Sequence, residues 1–192
     1  QSNLYVGNSL VSMYAKCGAM KQAQEVFHML PSQDVVSWNS LISGYARQGR
    51  HAEEALEAYK RMQMDGISPD EATFICVLKA CANARALKQG KEIHDDIIRE
   101  GWLQKHISVG TSLVDMYAKC GALSRARDAF NELPFRDAIS WNALIAGYTQ
   151  HGHGEEALKC YQEMQCQGFS PTPTTYVCTL KACGNMGSMD VG

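Results

Sequence analysis

Long apolar runs are missing from this sequence. A bilayer-spanning helix needs about 18 or more consecutive apolar residues, and none occurs, so no membrane is expected as a partner. A dominant sign of charge is missing too: 18 Lys and Arg stand against 20 Asp and Glu, a formal net charge of −2. That balance is poor for a polyanion ligand, although a repeat fold can gather its cations on one surface and its acids on another. Enzyme motifs are equally scarce. His153 and Glu155 in "HGHGEEAL" have the H-x-E spacing of a zinc nucleotide deaminase, but that chemistry also needs P-C-x-x-C, which is absent. The equivalent "HAE" at His51 to Glu53 suggests that both histidines belong to a solvated turn before a helix. Glu155 and Glu156 then complement the dipole of that helix. "GHGEEA" lacks the spacing and the preceding strand of a phosphate-cradling loop. No catalytic residue, metal ion or cofactor is expected.

Cysteine is not scarce, but its placement excludes a disulfide framework. Of the eight cysteines, Cys17 matches Cys120, Cys76 matches Cys178 and Cys81 matches Cys183 across an internal repeat. They sit in apolar stretches, as small buried residues do, and are expected to be reduced structural thiols. "CVLKAC" and "CTLKAC" place two thiols five residues apart, which on a helix diverge by about 140°; the tight zinc-knuckle spacing is absent. The opening "QSNLYVGNSLV" is neither an Arg-rich transit sequence nor a signal peptide. It enters a repeat at once, and "KACGNMGSMDVG" stops inside one, so the chain is expected to be a piece of a longer protein.

What is there in abundance is self-similarity. "SLVSMYAKCGAMKQAQEVF" from Ser9 returns as "SLVDMYAKCGALSRARDAF" from Ser112, and "DVVSWNSLISGYARQG" from Asp34 returns as "DAISWNALIAGYTQHG" from Asp137, both 103 residues later. "SPDEATFICVLKACAN" from Ser68 returns as "SPTPTTYVCTLKACGN" from Ser170, now 102 residues later. The single slip falls between "GRHAEEAL" and "GHGEEAL". A long repeat with one indel is the signature of a repeat architecture.

The period subdivides. Ala23, Val26, Phe27 and Leu30 form one apolar helix face; Pro31 stops that helix, and Gly18 separates it from the helix before. Ala55, Tyr59 and Met62 make a similar face, repeated by Ala157, Tyr161 and Met164. The pattern predicts helix, tight turn, helix, in units of 31 to 36 residues. Each pair is too small to bury its own face, so the pairs must stack into an all-α solenoid.

These residues also resemble a family. "SLVDMYAKCGALSRARDAFNELPFRD", "DAISWNALIAGYTQHGHGEEALKCYQEMQCQGFSP" and "TFICVLKACANARALKQGKEIHDDIIREG" look like the short, standard and long motifs of a plant pentatricopeptide repeat protein. Their order resembles the PLS subclass, typically organellar RNA-editing site selectors. The resemblance implies a right-handed α-solenoid of helix-turn-helix repeats, framed as 4–34 (short), 35–70 (standard), 71–106 (long), 107–137 (short), 138–172 (standard) and 173–192 (long, partial). It also implies a chloroplast or mitochondrial protein whose targeting segment is absent from this stretch, with any editing deaminase lying outside it.

The family implies one base of single-stranded RNA per unit, read by the fifth residue and the last, with the second residue packing on the base face. Carried over, the readers are Asn8 with Asp34 and Asn39 with Asp70 (uracil), Thr111 with Asp137 (guanine), and Asn142 with Thr172 (a pyrimidine). The base-packing residues are Tyr5, Val36, Ala72 and Ile139, whereas Ser108 and Thr174 are polar departures. The long units carry Ile75 and Val177 fifth, which cannot hydrogen-bond a base edge. They are expected to be silent spacers or faces for small editing-complex proteins. The implied target is 5′-U-U-N-G-Y-3′.

The chemistry is plausible on its own: an Asn amide offers donor and acceptor to a pyrimidine edge, and a boundary Asp can fix which way the amide points. The bland reading is that an Asn or Thr near a helix start is a cap. Lys16 and Lys119 in "YAKCG", with Lys79 and Lys181 in "LKAC", recur as candidates for phosphate contacts or as a solvated face. The competing function is a protein-binding scaffold of the tetratricopeptide kind. Binding that weakens with salt and depends on the base opposite Thr111 would separate the two.

Overall fold

The computed structural model describes residues 2–48 and 52–187, and eleven α-helices and no strands among them. The extra residue of the first copy and His51 fall at positions 49–51, and the last five residues of the partial long unit at 188–192; both lie outside the described residues. By contact the chain divides into two compact units, Gln1–Asp95 and Asp96–Gly192.

In the first unit α1 (Ser2–Lys16) packs on α2 (Met20–Met29) and α3 (Val35–Arg47), and α3 on α4 (Ala52–Met64) and α5 (Glu71–Ala84). The helix α6 (Leu87–Arg99) follows and carries the division between the units. In the second unit α7 (Ile107–Lys119) packs on α8 (Leu123–Asn131) and α9 (Ala138–Gln150). The helix α9 packs in turn on α10 (Gly154–Cys166) and α11 (Pro173–Gly187).

The breaks are local chemistry. Gly18 and its counterpart Gly121 have φ of 79° and 75°, a left-handed conformation that costs glycine little, and so turn the chain between paired helices. Asp34, Asp70 and Asp137 are N-caps of α3, α5 and α9. Each side chain accepts from the backbone N–H three residues on, and that residue's hydroxyl accepts from the cap N–H. Such reciprocal caps fix where a helix begins.

The core follows the periodic positions. Ala23, Phe27, Ala55, Tyr59, Met62, Ala157 and Met164 are buried, while Tyr161 is half-buried. The Phe27 ring meets Trp38 edge-on at 4.6 Å between centroids, and Phe130 meets Trp141 at 4.5 Å. The same aromatic pair therefore ties α2 to α3 and α8 to α9.

The cysteines need correction. Cys81 and Cys160 are buried, but Cys17 and Cys183 are exposed and Cys76, Cys120 and Cys178 are intermediate. Sequence equivalence does not carry burial with it. Cys183 lies on α11, the last described helix, where nothing further covers that face among the described residues. Cys17 lies in the turn just past α1. Burial pushes the Cys160 thiol up to about 11, an effect that nearby Arg127 only partly offsets.

Candidate nucleic-acid interface

The fifth residue of a unit lies one turn into its first helix, and the last residue is the N-cap of the next unit's first helix. Stacking of those two helices brings them side by side. Asn8 Nδ2 donates to both carboxylate oxygens of Asp34, at 3.1 and 3.0 Å. Asn39 Nδ2 donates to Asp70 Oδ1 at 2.9 Å, and Asn142 Nδ2 to Thr172 Oγ1 at 2.9 Å. Capping falls to the boundary residues Asp34, Asp70 and Thr172. The three asparagines sit inside their helices and cap nothing.

Thr111 and Asp137 differ. Their side chains form no such bond; the Thr111 hydroxyl is buried without a partner, and Asp137 is occupied by the Ser140 N–H at 2.7 Å. A threonine is a bond shorter than an asparagine and does not span the gap.

Hydrogen bonding holds the two boundary carboxylates charged. Burial pushes Asp34 up, but the N–H and hydroxyl of Ser37, the Asn8 amide and the Val36 N–H outweigh it, leaving the group below the usual carboxylate value. Asp70 is also lowered. Burial opposes, while Thr73, the Asn39 amide and the Ala72 N–H prevail.

The second residues flank these pairs and face solvent. Tyr5 is 77% exposed, Val36 54% and Ile139 67%; Ala72, Ser108 and Thr174 are exposed as well. In the first unit an open groove of about 870 Å³ is lined by Tyr5, Asn8, Lys16, Asp34 and Val36. An apolar side chain thus stands on each side of the Asn8–Asp34 pair, with a cation nearby. Lys79 and Lys181 are exposed. Lys119 is not free like Lys16: its Nζ lies 2.7 Å from Asp115 Oδ2, where the first copy has Ser12. In the units expected to be long, Ile75 is half-buried and Val177 exposed, and the boundary residue His106 makes no side-chain cap bond.

His153 stands at the start of α10, its Nδ1 3.9 Å from Glu156 Oε2. Among the described residues no three His, Cys, Asp or Glu side chains converge to hold a metal ion. No helix there is long and apolar enough to cross a membrane.

Sequence reasoning missed a further set of side chains. The third residues Ser37, Thr73, Ser140 and Thr175 are fully buried hydroxyls that reach the boundary residues and, in two cases, Asn39 and Asn142 themselves. A Ser or Thr three positions after Asp34, Asp70, Asp137 and Thr172 was the available signal.

The PPR repeat family profile matches residues 33–83 and 136–185, and a second PPR repeat profile matches 8–35 and 111–136. The chain belongs to the pentatricopeptide repeat family. One pentatricopeptide repeat-containing protein of Arabidopsis thaliana is 43% identical over 191 residues, 99% of this chain and 23% of its own length. The chloroplastic Arabidopsis protein CRR2 is 41% identical over 193 residues, covering all of this chain and 29% of its own length. The chain thus spans about a quarter of such curated relatives. Among solved structures, the pentatricopeptide repeat protein PPR10 from maize superposes with a TM-score of 0.79 at 24% identity, over 95% of this chain and 27% of that one. PPR10 in complex with an 18-nucleotide psaJ RNA element gives 0.78 at 20% identity, over 93% and 27%. The fold is the all-α solenoid of pentatricopeptide repeats.

Proposed function

We propose that this chain binds single-stranded RNA, one base to a unit, as the recognition tract of an organellar RNA-processing factor, one that selects C-to-U editing sites. The observation that carries the reading is the recurring pair: an Asn amide bonded to the last residue of its own unit in three units, at a surface flanked by exposed second residues. A pyrimidine between Tyr5 and Val36 would stack on both and turn its edge to the Asn8 amide, whose donor side is already oriented by Asp34. The proposed frame agrees with the helix starts at Val35, Glu71, Ile107, Ala138 and Pro173. The proposed target is 5′-U-U-N-G-Y-3′, with Ile75 and Val177 leaving the long units silent or open to protein partners. PPR10 has been crystallised with RNA, and curated relatives include chloroplastic and mitochondrial proteins; both support an organellar RNA-binding role.

Thr111 offers the sharpest test. Asp137 stands where Asp34 and Asp70 stand in their units, so Thr111→Asn should recreate the Asn–Asp pair. Fluorescence anisotropy at low salt with UUNGU and UUNAU should show wild type favouring G. The variant should lose that preference and gain one for UUNUU. Equal binding to every RNA would mean backbone contact without readout, and binding insensitive to salt would point to a protein ligand instead.

A further inference from the structure

The buried hydroxyls three residues past each boundary behave in two distinct ways. Where the residue is Thr, it reaches back across the unit boundary to the reader: Thr73 Oγ1 donates to Asn39 Oδ1 at 2.6 Å, and Thr175 Oγ1 to Asn142 Oδ1 at 2.6 Å. Where it is Ser, it turns to its own backbone: Ser37 Oγ donates to the Asp34 carbonyl at 2.8 Å and Ser140 Oγ to the Asp137 carbonyl at 2.9 Å. The readers opposite the serines keep a buried oxygen with no protein partner, Asn8 Oδ1 and Thr111 Oγ1. The sequence follows the same rule. The third residue is polar after each polar reader, and it is Val109 after the apolar Ile75.

We propose that Thr73 and Thr175 are positioning residues for base selection, holding the amides of Asn39 and Asn142 at both ends, whereas Ser37 and Ser140 leave the preceding reader able to adapt. The inference rests on the RNA-reading function proposed above. Its physics is that of amide registry. Uracil presents an N–H beside a carbonyl, and cytosine presents a ring nitrogen beside an amino group. One Asn amide can meet either edge, but only by shifting sideways between them. An amide held by Asp70 at its nitrogen and by Thr73 at its oxygen cannot shift without breaking a buried bond. Asn8, held at its nitrogen alone, can. Serine lacks the methyl group that restricts the threonine χ1, so it can rotate onto the backbone carbonyl while still accepting from the cap N–H, as Ser37 does.

The test compares Kd ratios for single-base changes by anisotropy: UUNGU against UCNGU reads Asn39, and UUNGU against CUNGU reads Asn8. Wild type should discriminate more sharply at the second base than at the first. Thr73→Ser should lower the ratio at the second base by about fivefold, the loss of one net hydrogen bond. Its thermal midpoint without RNA should fall only slightly, because serine preserves the cap while one buried methyl group and one hydrogen bond are lost. Ser37→Thr should raise the ratio at the first base. Thr73→Val, which removes cap and lock together, should lower both ratio and midpoint. Discrimination in wild type that neither exchange alters would overturn the positioning role and leave base reading intact. A wild type indifferent to every single-base change would overturn base reading and, with it, this inference.

Discussion

At the scale of the residue, the boundary aspartates do two jobs with one carboxylate. Asp70 caps α5 through the Thr73 N–H at 2.9 Å and also orients Asn39, so charge on that group matters to stability and to the surface at once. The folded-state pKa values of Asp34 and Asp70 lie below the ordinary one. Their stabilising contribution is therefore complete above the unfolded value of about 3.9 and disappears as pH falls through the lower folded value. Asp70→Asn retains a good N-cap residue but removes the charge. Thermal melts should show wild type more stable than the variant near neutrality. The gap should close as the pH drops below about 4; a constant gap down to acid pH would mean that the carboxylate charge is not what stabilises the site.

At the scale of the element, the helices meet closely at glycines inside them. A Cβ on Gly147 in α9 would lie 2.5 Å from the Cβ of Ala118 in α7, and one on Gly44 in α3 would lie 2.7 Å from Met20 Sδ and 2.8 Å from the Ala15 Cβ. Glycine weakens a helix interior by up to about 1 kcal/mol, and here it is offset by the close approach that lets α7 and α9 stack. Gly147→Ala should destabilise by about 1–3 kcal/mol, since the neighbouring methyl group has no flexible end to yield. Gly184→Ala, in α11 with open space around it, should be neutral or stabilise by about 0.5–1 kcal/mol. Urea denaturation of the two variants checks the contrast. The sequence does not set such glycines apart from the turn-forming Gly18, because composition cannot distinguish a turn from a contact.

At the scale of the whole molecule, stability comes from neighbour-to-neighbour packing, and electrostatics comes from placement rather than total. A net charge of −2 says little about a surface on which Lys16, Lys79 and Lys181 are exposed while Lys119 is bound to Asp115. Asp115→Ser, which installs the residue found in the first copy, should free Lys119. The slope of log Kd against log salt for UUNGU should then steepen by about 0.7 if one phosphate contact is gained. An unchanged slope would remove Lys119 from the phosphate-contacting set. The Asp115–Lys119 pair is legible as an i, i+4 spacing, which the likeness of Lys119 to Lys16 masks because Ser12 stands at the equivalent position of the first copy. The same homology overstated the burial of Cys17 and Cys183.

Helices, their starts and their repeat lengths were determined by the sequence itself, because period, glycine turns and capping residues act within a few positions of one another. Val35, Glu71 and Ala138 begin helices for reasons visible in Asp34, Asp70 and Asp137 and the hydroxyls three residues on. Which side chains face one another across stacked helices was decided only by tertiary structure. The pairs Asn8–Asp34, Asn39–Asp70 and Asn142–Thr172 join residues 26, 31 and 30 positions apart, and Thr73 reaches Asn39 across 34. Stacking sets such distances to within a bond length. That margin leaves Thr111 out of reach of Asp137, while the methyl group of Thr73 goes with its hold on Asn39, and Ser37, without one, turns to its own backbone.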